Sequence, residues 1–153
     1  MATIPAFIVS NQCKVSGQGN IFIESRNKLG FGGKFIININ VNFNPATNEY
    51  PVGSLTIETD LSDSQRDIFK TEHIDSINLH GLDNPTVFLT GRVNDNLANY
   101  KGCTFWLMIA NNKPREVQRG FDVVSFVIND GKGQYVAYGT GTLREGDISV
   151  SVN

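Results

Sequence analysis

The chain has 153 residues, the length of one domain that buries roughly two-thirds of its unfolded surface and folds without a staple. Its formal net charge of −2 and isoelectric point near 5.6 argue against nucleic acid or an anionic membrane as partner. Charged residues make up 18%, below the usual share of about a quarter, and amides and hydroxyls take their place, with 17 Asn in the chain.

The first segment, residues 1–12, reads as an arm. It has no basic stretch, and its apolar run from Ile4 to Val9 is too short for an export signal or a membrane span. Synthesis in the cytoplasm without membrane insertion is the expectation, with a final location on a cell or spore surface after release. Ile4, Phe7, Ile8 and Val9 are apolar and β-prone, and Pro5 suits an edge strand. Such an arm either covers an edge of its own sheet or adds to a neighbour's.

The β domain follows at 13–153. Turn punctuation predicts a strand at 6–10 in the arm and, in the domain, strands at 13–15, 20–24, 33–44, 53–59, 72–79, 86–93, 100–110, 121–128, 134–143 and 147–152. The clearest is the third of the domain, where Phe35, Ile37, Ile39, Val41 and Phe43 alternate with Asn38, Asn40 and Asn42. Side chains alternate faces along a strand, so one face is apolar and the other amide-rich. Ser62 and Gln65 form a capping-box pattern and predict at most two turns of helix. The strand at 100–110 is apolar on both sides: Cys103, Phe105, Leu107 and Ile109 on one, Thr104, Trp106, Met108 and Ala110 on the other. Such a strand is central, or its second face meets a partner. The strand at 121–128 is two-sided in the same way. The residues Leu143-Arg144-Glu145-Gly146 read as a short hairpin turn before a last strand with Ile148, Val150 and Val152 inward.

No catalytic motif is present. His73 and His80 lie seven apart in one strand, which puts them on opposite faces and predicts no shared metal. His73 and Asp75 share a face and are placed for a hydrogen bond. The acids Asp60, Asp63 and Asp67 lack the spacing and the turn glycine of a calcium loop. No metal or cofactor is therefore expected. Cys13 and Cys103 have no metal-ligand spacing. They are two reduced thiols, an internal bridge, or a bridge between subunits. The row Asn38, Asn40, Asn42 is a solvated face, a face against another subunit, or a sugar-binding face with Trp106 or Tyr100 as stacking platform.

From Cys13 onward the order of motifs resembles the post-COAP family, small β-sandwich domains at the ends of bacterial surface and secreted proteins. The resembling stretches are Val15-Ser16-Gly17-Gln18-Gly19, Gly32-Gly33-Lys34-Phe35, Gly53-Ser54-Leu55-Thr56-Ile57, the run from Ile74 to Gly81, Val87-Phe88-Leu89-Thr90-Gly91, Gly120-Phe121-Asp122 and the closing run from Gly141 to Val152. The resemblance implies a binding or structural module, not an enzyme.

The sequence thus predicts one all-β domain, an antiparallel β-sandwich or jelly-roll-like barrel. The function expected is that of a non-enzymatic structural subunit. It would form a homo-oligomer or filament through strand edges and the arm, as in a bacterial surface fibre or layer. The alternative is a module that binds carbohydrate or another ligand.

Overall fold

The computed structural model describes residues 12–23, 33–60, 67–81, 85–96, 100–111 and 122–152. The arm residues Ile4, Phe7, Ile8 and Val9, the strand predicted at 6–10 and the capping-box segment lie outside the described residues. Among the described residues eight strands carry the fold: β1 (Cys13–Ile23), β2 (Gly33–Phe43), β3 (Val52–Asp60), β4 (Ile68–His80), β5 (Thr86–Asp95), β6 (Cys103–Ala110), β7 (Val123–Asn129) and β8 (Tyr135–Val152). Every pairing is antiparallel between sequence neighbours, and β8 pairs with β1. The result is a closed up-and-down barrel. The all-β antiparallel expectation holds. The two-sheet sandwich and the jelly-roll order do not describe this wall, because one sheet closes on itself without a crossover. Among the described residues no helix is long and apolar enough to cross a membrane.

Alternation builds the interior. Phe35, Ile37, Ile39, Val41 and Phe43 are all buried, while Asn38, Asn40 and Asn42 are exposed. The same period buries Cys103, Phe105, Leu107 and Ile109 on β6, Val124, Phe126 and Ile128 on β7, and Ile148 and Val150 on β8. Eight strands make a barrel whose interior side chains can just fill. Here Phe35 of β2 meets Phe126 of β7 edge to face, with ring centroids 5.2 Å apart. These rings sit on opposite sides of the wall and touch through its centre, so this part of the interior is packed core.

Three local readings of the sequence are corrected. The strands expected at 13–15 and 20–24 are not separated by a turn at Ser16-Gly17, and residues 13–23 form one strand. Gly17 sits at φ 146° against β8, where a Cβ would lie 2.0 Å from the Asp147 carbonyl oxygen. This glycine lets two backbones approach and does not mark a turn. Likewise Leu143-Arg144-Glu145-Gly146 is no hairpin. It lies inside the 18-residue β8, whose first half pairs with β7 and whose second half pairs with β1. Finally, His73 and His80 share the outer wall. Register shifts in β4 fall between Thr71 and His73 and between Ile74 and Ser76. The second lies between the two histidines, and one extra residue in a bulge reverses the parity of everything beyond it.

Candidate functional site

Among the described residues the outer wall offers the surfaces that differ most from one another. The outer wall falls into two unlike regions. On β1–β3 the register sets Gln18, Asn38 and Thr56 in one row, Ser16, Asn40 and Ser54 in the next, and Lys14, Asn42 and Val52 below. Amides and hydroxyls dominate, and they hydrogen-bond water readily.

The wall of β4–β8 is different. One row runs Ser76, Thr90, Trp106, Val127, Tyr138, and the next runs Asn78, Phe88, Met108, Ser125, Thr140. A third runs His80, Thr86, Ala110, Val123, Thr142. None of the three rows contains Asp, Glu, Lys or Arg. Trp106 is 36% exposed at the middle. Its ring lies 5.9 Å from that of Phe88, which meets His80 at 5.5 Å. Tyr138 packs on Tyr135 at 5.5 Å, and Tyr135 is 62% exposed. Four of the hydroxyls in the rows bond in pairs: Ser76 with Thr90 at 2.6 Å and Ser125 with Thr140 at 2.7 Å.

The structure therefore separates residues that the sequence reading grouped. Asn38, Asn40 and Asn42 are on β2, and Trp106 is on β6, four strands away around an eight-stranded wall. Tyr100 stands in the β5–β6 connection, where its carbonyl accepts the Asp95 N–H at 2.9 Å. These side chains do not form one ligand face. The two-sided character of β6 and β7 was the sequence signal for the aromatic wall. The register that sets Trp106, Val127 and Tyr138 in one row, with Phe88 diagonal to Trp106, carried no local signal.

The cysteines are free and buried, Cys13 at 3% and Cys103 at 0% exposure. They open strands at opposite ends of the barrel, which excludes an internal bridge without refolding. Burial raises both thiols above their ordinary value, with Asp130 and Asp95 adding to the rise at Cys103. A buried protonated thiol is a poor nucleophile. His73 Nε2 lies 3.3 Å from Asp75 Oδ1, as expected, and Tyr50 meets His73 edge to face with ring centroids 4.6 Å apart. Among the described residues no group of three or more His, Cys, Asp or Glu is placed to hold a metal.

No family model, curated protein or solved structure matches the chain.

Proposed function

We propose that this protein is a non-enzymatic structural subunit that associates with copies of itself through the aromatic wall of β4–β8. The observation that carries this reading is the run of three charge-free rows, with Met108 at their centre and Trp106 in the middle of the first row. Trp, Tyr, Phe and Met are the residues enriched in the desolvated cores of interfaces, and charged residues are depleted there. Strand and residue spacings give the three rows a projected area of roughly 400–500 Å², the size of a functional patch on a monomer. A standard interface buries about 800 Å² per partner, so these rows supply a core and the flanking positions a rim.

The paired hydroxyls favour a dry partner. Covering a free hydroxyl costs about 1–3 kcal/mol when no new bond forms. Ser76, Thr90, Ser125 and Thr140 already have partners, which removes most of that cost. A barrel wall also differs from a sheet edge. Closure takes away the long unpaired edges that strand addition needs, so the expected edge-to-edge mode gives way to face-to-face packing. The binding or structural role implied by the post-COAP resemblance is in keeping with this.

The test is sedimentation velocity at several concentrations of the full chain and of Trp106→Lys. The wild type should shift to larger species as concentration rises, and the variant should sediment as a folded monomer throughout. A wild type that stays monomeric at every concentration sinks the proposal. A monomer that instead binds a neutral oligosaccharide in a Trp106-dependent way establishes the carbohydrate alternative.

A further inference from the structure

A second site lies on the outer wall where β1, β2 and β8 meet. A pocket of about 160 Å³ is lined by Asn20, Ile21, Phe22, Lys34, Arg144 and Glu145. Its volume is below the roughly 300–1,000 Å³ of sites for drug-sized ligands, so it suits one small ring.

The backbone at this pocket is unusual. Gln18 pairs with Asp147 and Asn20 with Arg144, so β8 sets Glu145 and Gly146 against the single residue Gly19. This is a β-bulge, a device that re-aims side chains. Glu145 has φ 51°, the one described non-glycine residue in the left-handed region. That position of a bulge favours glycine, yet it holds a carboxylate. Asn20 Nδ2 donates to Glu145 Oε2 at 2.9 Å, and Lys34 Nζ stands 3.7 Å from the same oxygen. A strained residue whose side chain is held in place points to use of that side chain.

We propose that this pocket binds an acidic sugar, a hexuronate-type ring. Lys34 and Arg144 against Glu145 leave the pocket one positive charge in excess, on a chain of net charge −2. The Arg144 guanidinium is a planar fork that fits a carboxylate with two parallel hydrogen bonds. Phe22 is 60% exposed at the rim and offers an apolar face to the C–H side of a sugar ring. Glu145 accepts hydrogen bonds from ring hydroxyls and the Asn20 amide both donates and accepts. An anion alone would use the cations but leave the carboxylate and the ring idle. A neutral sugar would leave Arg144 unused.

The experiment is an amide chemical-shift titration of the isotope-labelled full chain with D-glucuronate, D-glucose and inorganic phosphate. Glucuronate should give saturable shifts at residues 20–22, 34 and 144–146, and neither glucose nor phosphate should match them at equal concentration. Arg144→Gln should weaken glucuronate at least about tenfold, the worth of one strong polar contact. Glu145→Gly is the decisive variant, because it relieves the left-handed backbone. Its melting temperature should hold or rise while its affinity for glucuronate falls. Three results would overturn the proposal: no saturable shift with glucuronate, an equal response to glucose or phosphate, or unchanged affinity in a folded Glu145→Gly protein.

Discussion

The two halves of the outer wall share one backbone geometry and one core, and they differ in how their outward side chains meet water. On β1–β3, Asn38, Asn40 and Asn42 stand exposed among Gln18, Ser16 and Thr56. On β5–β8, Phe88, Trp106, Met108 and Val127 fill the equivalent positions. Folding does not require the second pattern. The inward faces already hold Ile37 and Ile39 on one side and Leu107 and Phe126 on the other at 1% exposure or less. The proposed self-association rests on these apolar side chains outside the core.

The largest expected effect comes from the place where the two halves touch. Phe126→Ala removes the ring that meets Phe35 and should cost about 3–5 kcal/mol of stability in urea unfolding. A loss below about 1 kcal/mol would mean that the two walls do not share a core.

Next comes a like-for-like charge on each wall. Met108→Glu should weaken self-association at least about tenfold by desolvating an unpaired carboxylate in an apolar interface. Asn40→Glu should leave it unchanged, and should alter stability by less than about 0.5 kcal/mol. Analytical ultracentrifugation of the two variants decides this. Equal effects would erase the distinction between the walls.

At one mouth, burial, and then the nearby Asp95 carboxylate, push Asp67 above the ordinary carboxylate value. The folded state therefore holds the Asp67 proton more tightly than the unfolded chain. Between the unfolded and folded values the native state binds more protons, and stability falls as pH rises through that window. Asp67→Asn should raise stability at pH 7 and lose its advantage as pH drops below the folded value of Asp67. Urea midpoints measured from neutral pH down to about 4 test the sign. An advantage that grows toward acid would contradict it.

The smallest effect belongs to the hydroxyl pairs on the aromatic wall. A double-mutant cycle on Ser125→Ala and Thr140→Ala should give a coupling near 0.5–1 kcal/mol for the 2.7 Å contact. Zero coupling would mean that these hydroxyls turn to water and that covering them carries the full desolvation cost.

Much of the fold was legible from alternation. The inward sets on β2 and β6 follow directly from period-two apolar runs, because a strand has no other way to hide every second side chain. Glycine misled at two points. Gly17 and Gly146 were read as turns, but each permits close approach of β1 and β8 inside continuous strands, with a Cβ at either position 2.0 Å from a carbonyl oxygen. Local sequence cannot separate the two uses, since the approaching backbone lies more than a hundred residues away. The histidines failed for a related reason: a bulge in β4 changed their parity, and bulges depend on the partner strand.

Sequence by itself determined the all-β class, the core faces and the two-sided strands, because each depends on the sign of side-chain hydration at alternate positions. Closure of the sheet, the gathering of Trp106, Phe88 and Tyr138 on one wall, and the meeting of Lys34 with Arg144 and Glu145 were decided by tertiary structure alone. Each depends on register between strands far apart in the chain. Register is set by the total fit of the core and the closure of the barrel, quantities that no single stretch of sequence contains.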